Sequence, residues 1–142
     1  MSPPDDPETC VLVIDDDEDV RDMISAILRF KGYRVAEASG GAEALGLLRG
    51  GVRPFLVLLD LMMPGMSGQE FKIAFDEDLA LPRAPVVIIS GDGRIAELAA
   101  AMGADGFLWK PMEMPALLTL VESFRCRGTP VSPHVHDPEQ DR

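Results

Sequence analysis

No polar side chain interrupts Val11-Leu12-Val13-Ile14, Phe55-Leu56-Val57-Leu58-Leu59 or Val86-Val87-Ile88-Ile89, and a shorter run, Phe107-Leu108-Trp109, has the same pattern. Runs of this length, rich in β-branched residues and free of alternation, suit strands buried on both faces; a strand with one wet face would alternate apolar and polar side chains. Strands covered on both sides occur in parallel sheets sandwiched between helices. That single feature narrows the chain to an α/β class.

The segments between the runs carry a helical period. Val20, Met23, Ile24, Ile27 and Leu28 recur at that spacing, and Gly32 stands where the helix would end. A second strand, Tyr33 to Ala38, contains Arg34 and Glu37 and suits a sheet edge. Ala42, Leu45 and Leu48 mark a second helix; Phe71, Ala74 and Phe75 a third; Ile95, Leu98, Ala99 and Met102 a fourth; Leu117, Leu118, Val121 and Phe124 a fifth. The expectation is one (βα)5 unit, a doubly wound parallel sheet in the flavodoxin-like order 2-1-3-4-5, with the three most apolar runs central.

Each apolar run ends on a polar residue: Asp15 and Asp16 after the first, Asp60 after the third strand, Ser90 after the fourth and Lys110 after the fifth. Ligands of open α/β sheets bind beyond the carboxyl ends of the strands, so these five would share one crevice. Three carboxylates converging there repel one another, which raises at least one pKa unless a cation is present. A hard divalent ion such as Mg²⁺, which takes oxygen ligands and keeps several waters, fits that donor set.

The motifs Asp15-Asp16, Leu59-Asp60-Leu61-Met62-Met63-Pro64-Gly65, Ser90-Gly91 and Lys110-Pro111, in this order at these strand ends, resemble the receiver domain of two-component response regulators. The resemblance covers about residues 9 to 125. It implies Asp60 as phosphoacceptor from a sensor histidine kinase or a histidine phosphotransfer protein. It also implies Mg²⁺ on Asp16, Asp60 and the Met62 carbonyl, with Asp15 reached through water. Lys110 and Ser90 would stabilise the transferred oxygens, and Ser90 with Phe107 would form the switch. Phe107 lacks a hydroxyl to leave unsatisfied on burial, so the switch is expected to be biased inward before phosphorylation. Downstream proteins would read the face built by the fourth helix, fifth strand and fifth helix. Such a domain is a self-modifying switch, monomeric or dimerising on phosphorylation, and no turnover enzyme. Pro111 is expected to carry the cis bond that the family shows there.

Charge limits the partners. The formal net charge is -11, which repels phosphate backbones and anionic lipid, so direct nucleic-acid or membrane contact is not expected. No apolar stretch is long enough to span a bilayer, and the start lacks the regions of a signal peptide, so a cytoplasmic setting is expected. Residues 1–8 read as an acidic flexible N-terminus and 126–142, with three prolines and no period, as a disordered tail or linker. Cys10 and Cys126 lack metal-ligand spacing and read as reduced thiols.

Plainer readings and rival chemistries exist for several of these residues. Asp17, Glu18 and Asp19 suit an ordinary acidic helix start. Arg21 reads as a surface charge pair and Trp109 as edge packing. Asp15-Asp16-Asp17 also satisfies the Asp-x-Asp of haloacid-dehalogenase-type phosphatases, with Asp15 as nucleophile, but that reading leaves Asp60 unexplained. An EF-hand fails on Val20 and Ala26, which stand where glycine and glutamate are needed. A pseudo-receiver that uses the fold only to bind proteins is disfavoured by the five intact positions.

Overall fold

The computed structural model describes residues 9–125, so the expectations for residues 1–8, for 126–142 and for Cys126 lie outside the described residues. Strands and helices alternate: β1 (Thr9–Ile14), α1 (Glu18–Phe30), β2 (Val35–Ala38), α2 (Gly41–Arg49), β3 (Arg53–Asp60), α3 (Gly68–Glu77), β4 (Val86–Ser90), α4 (Ile95–Met102), β5 (Gly106–Trp109) and α5 (Met114–Arg125). The strands pair in parallel in the order β2-β1-β3-β4-β5, as the apolar runs require.

Alternate residues of the central strands feed two separate cores. Leu12, Ile14, Val57, Leu59 and Ile88 pack with Leu45 and Leu48 of α2, Phe71 and Phe75 of α3, and Ile95 of α4. Val11, Val13, Leu56, Leu58, Val87 and Ile89 pack with Ile24 and Leu28 of α1 and with Leu117, Leu120, Val121 and Phe124 of α5. Two helices therefore cover one face and three the other, the outcome of right-handed crossovers on both sides of the sheet. Each fully buried Leu, Ile or Phe contributes roughly 1.5–3 kcal/mol of transfer free energy, which makes the two layers the main stabilising term.

Local chemistry sets the helix ends. The Asp17 carboxylate caps α1 by accepting from the amides of Asp19 (3.0 Å) and Val20 (3.3 Å), so the acidic run after Asp16 is a helix start. Gly32 takes the chain out of α1 at φ 93°, a conformation that strains any residue with a Cβ. At α3, Ser67 and Glu70 form a reciprocal capping box, with the Glu70 amide 3.1 Å from Ser67 Oγ and the Ser67 amide 2.9 Å from Glu70 Oε1.

Several strand boundaries differ from the sequence reading: β1 starts two residues early, at Thr9, and β5 one early, at Gly106. β2 starts at Val35; Tyr33 instead turns beneath α5, where its hydroxyl donates to the Glu122 carboxylate and its ring lies 5.9 Å from that of Phe55. β3 begins earlier than the apolar run, at Arg53, and takes in Pro54. The register between β1 and β3 shifts between Cys10 and Val11, which pair with Pro54 and Leu56, and this irregularity lets a residue without an N–H enter a central strand at its start.

Leu58 is fully buried in the middle of β3. Leu58→Ala is expected to lower the unfolding free energy by about 2–5 kcal/mol, read as a drop in the urea midpoint at unchanged slope.

Candidate functional site

Sheet register brings the polar strand ends together. Ile14 pairs with Leu59, Asp60 with Ile89 and Ser90 with Trp109. Asp15, Asp60, Ser90 and Lys110 consequently emerge side by side at the carboxyl edge of neighbouring strands. Asp15, Asp60 and Ser90 are buried, Asp16 is exposed at the mouth, and Lys110 reaches in from β5 with a quarter of its side chain in solvent.

The ammonium of Lys110 lies 3.0 Å from Asp15 Oδ2 and 3.4 Å from Asp60 Oδ1. One cation thus serves two buried carboxylates. Burial and the charge of Asp15 push the Asp60 carboxyl up to about 6, although Lys110 and the Met62 amide, 3.4 Å from Asp60 Oδ1, act the other way. Burial works against the Lys110 charge, but its hydrogen bond to Asp15 and the charges of Asp60 and Asp15 outweigh it and raise the amine above its ordinary value.

Carboxylate oxygens of Asp15, Asp16 and Asp60 lie within 4.8 Å of one another. Asp15 Oδ1 accepts from the Asp17 amide at 2.9 Å, while the buried Oδ2 faces only the Lys110 ammonium, 3.0 Å away. An all-oxygen set with surplus negative charge fits a hard divalent cation.

Ser90 Oγ accepts the Asp92 amide at 3.0 Å, and the Asp92 carboxylate in turn holds Arg94 through its amide (2.8 Å) and guanidinium (3.1 Å). Phe107 is half-buried against the α2–α4 side of the core, and the Trp109 ring meets it edge-on at 5.2 Å. Trp109 packs there as an edge residue and stays about half-exposed. The Met62 side chain is 73% exposed beside the mouth, and the Lys110–Pro111 peptide is cis.

Two residues of the site were not legible as such in the sequence. A Cβ on Gly68 would sit 2.8 Å from the Asp60 carbonyl oxygen and 2.9 Å from Leu61 Cα, so only glycine lets α3 start directly under the Asp60 loop. By contrast, a Cβ on Gly91 would meet the Lys110 carbonyl oxygen at an ordinary 3.8 Å, and the protein's own packing does not demand glycine there. Arg21 makes the expected charge pair, with Nε 3.4 Å from Glu37 Oε1, but off the surface: only 16% of its side chain is exposed, and Nη1 also donates to the Asp15 carbonyl at 2.7 Å.

Comparison with known proteins supplies the family. The model of the response regulator receiver domain matches residues 11–122. Response regulator MprA of Mycolicibacterium vanbaalenii is 35% identical over 125 residues, covering 84% of this chain and 52% of MprA. DNA-binding response regulator MtrA of Mycobacterium leprae is 32% identical over 115 residues, covering 80% of this chain and 49% of MtrA. The chain therefore spans about half the length of these curated relatives. Among solved structures, the chemotaxis response regulator CheY4 of Vibrio cholerae superposes with a TM-score of 0.73 at 30% identity, covering 82% of this chain and 98% of CheY4. The receiver domain of NtrX from Brucella abortus gives 0.73 at 31% identity, covering 84% and 99%.

Because the folded Asp60 carboxyl titrates above its ordinary value of 3.8, at about 6, folding favours its protonated form. In metal-free solution its contribution to stability is fully present below about pH 4 and is lost as pH rises through 6, a decline of about 3 kcal/mol at most. Urea unfolding in EDTA, wild type minus Asp60→Asn, is expected to show that decline between pH 4 and 7; parallel curves would refute it.

Proposed function

The chain belongs to the response regulator receiver family, and from that premise we propose that it accepts a phosphoryl group on Asp60 and relays it as a change of protein-binding surface. The observation that carries this reading is the single ammonium of Lys110 shared between the buried carboxylates of Asp15 and Asp60. It is a site short of positive charge, which a divalent cation would supply, and the cation and Lys110 together would then offset the charge of a transferring phosphoryl group.

An Asp60 carboxylate oxygen attacks the phosphorus of a donor phosphohistidine. The O–P bond of an acyl phosphate forms, the P–N bond breaks, and the leaving imidazole takes up a proton. Lys110, already 3.4 Å from Asp60 Oδ1, shifts its ammonium onto the phosphoryl oxygens as their charge rearranges. Ser90 is held by the Asp92 amide through its lone pair, which leaves its own O–H free to donate to a phosphoryl oxygen. Mg²⁺, held by Asp16, Asp60 and the Met62 carbonyl with Asp15 through water, would neutralise the developing charge. The reaction is a modification of the domain itself and not a turnover of substrate.

When Ser90 is drawn toward the phosphoryl group it frees volume next to Phe107, which already packs partly inward. Movement there reaches Trp109 and the α4–β5–α5 face, where Trp109 and Met114 are both about half-exposed. A sensor histidine kinase or phosphotransfer protein is the proposed donor, and a downstream protein the proposed reader of that face. Residues 9–125 form the proposed receiver unit. Although MtrA bears DNA binding in its name, the acidic balance of this chain argues against contact between the receiver itself and a phosphate backbone. Among the described residues no helix is long and apolar enough to cross a membrane. The cytoplasmic setting is part of the proposal and rests on the proposed phosphoryl donor.

Incubation with Mg²⁺ and a small phosphoramidate-type donor is expected to add one labile phosphate by intact mass, absent from Asp60→Asn and from samples in EDTA. No adduct on the wild type would favour a module that only binds proteins. Donor consumption that survives Asp60→Asn and stops in Asp15→Asn would favour phosphatase chemistry instead.

Decay of the adduct supplies a separate test. The exposed Met62 thioether cannot orient an attacking water as an amide would. Met62→Asn is therefore expected to hydrolyse faster by about fivefold, the equivalent of one hydrogen bond worth about 1 kcal/mol. Equal half-lives would contradict it.

A further inference from the structure

Arg21 takes no part in the chemistry above, yet its guanidinium is largely buried and bound at two points. Nη1 donates to the Asp15 carbonyl at 2.7 Å, and Nε lies 3.4 Å from Glu37 Oε1 on β2. The other oxygen of Glu37 is 3.1 Å from Arg29 Nη1, and Arg29 Nη2 donates to the Val35 carbonyl at 3.3 Å. Two arginines on one face of α1 thereby clamp the edge strand and, through Arg21, the peptide that leaves β1.

That peptide leads directly into Asp16. The Asp15 carboxylate is secured by the Asp17 amide and Lys110. Asp16 is different: it is exposed, and among the described residues its carboxylate makes no hydrogen bond or ion pair. Its direction depends on the backbone. The Asp15 carbonyl and the Asp16 amide share one planar peptide, so a donor fixing that carbonyl also fixes the path from which the Asp16 side chain departs. Asp16 nonetheless lies within the 4.8 Å carboxylate cluster.

We propose that Arg21 is a positioning residue for the divalent cation: by holding the Asp15–Asp16 peptide against Glu37, it keeps the Asp16 carboxylate aimed at Asp60. The inference rests on the reading of the three carboxylates as a cation site. It also makes a claim of sign. As a charge alone, a guanidinium close to the cluster opposes cation binding, and its removal would tighten the site. As a clamp, its removal loosens the site.

The test is calorimetric titration of the full chain with Mg²⁺, comparing wild type, Arg21→Met and Arg21→Lys, each with its melting midpoint in EDTA measured to confirm folding. Arg21→Lys keeps the charge but cannot reach the carbonyl and Glu37 together. Both variants are expected to bind Mg²⁺ about tenfold more weakly, the usual scale for losing a group that orients a metal ligand. Tighter binding by Arg21→Met, or wild-type affinity in Arg21→Lys, would overturn the inference while leaving the cation site intact. Should Arg21→Met fail to fold, Arg21→Lys decides alone. No Mg²⁺ binding by the wild type would overturn the cation site itself and this inference with it.

Discussion

Two carboxylates buried at the carboxyl edge of the sheet, Asp15 and Asp60, share one ammonium. Removing two like charges from water beside a single cation is unfavourable, and the raised Asp60 carboxyl is the direct sign of it. Everything that orders this edge serves to keep that imbalance in place. β1 and β3 lie side by side in the sheet centre, which sets the two carboxylates next to each other at its carboxyl edge. An added cation relieves the repulsion, which is why the three carboxylates suit a hard divalent ion.

The supports differ in kind. Lys110 arrives from β5, and its position is set by the pairing of Ser90 with Trp109. The loop after Asp60 is pinned from below by α3, whose first residue must be Gly68 for steric reasons, and whose capping box fixes where the helix begins. The loop after Asp15 is pinned from the side by Arg21 and Glu37. Ser90 is linked by the Asp92 amide to the entry of α4, and the Asp92 carboxylate grips Arg94. Ser90 is thereby joined to the entry of α4 by a short covalent and hydrogen-bonded route.

The parts of this arrangement that were legible in the sequence are those set by burial and by strand ends. Unbroken apolar runs such as Leu56-Val57-Leu58-Leu59 reveal a two-sided core, and the polar residue closing each run reveals the crevice. What stayed hidden depends on contacts between distant segments. Gly68 looks like any loop glycine until the Asp60 carbonyl is placed against it. Tyr33 reads as strand because its α5 partner, Glu122, lies far along the chain. Arg21 reads as surface because its burial comes from β2, and nothing local to Asp-Val-Arg-Asp announces that strand. Pro54 would be refused a central strand on propensity, and enters one only because the register slips at Cys10.

Locating the phosphoryl group chemically tests the assignment of Asp60 most directly. Borohydride reduction of donor-treated, Mg²⁺-loaded protein converts an aspartyl phosphate to homoserine, and peptide mapping then reads its position. Homoserine is expected at residue 60 alone. Homoserine at residue 15, or a phosphate that survives borohydride on a hydroxyl or imidazole elsewhere, would contradict that assignment.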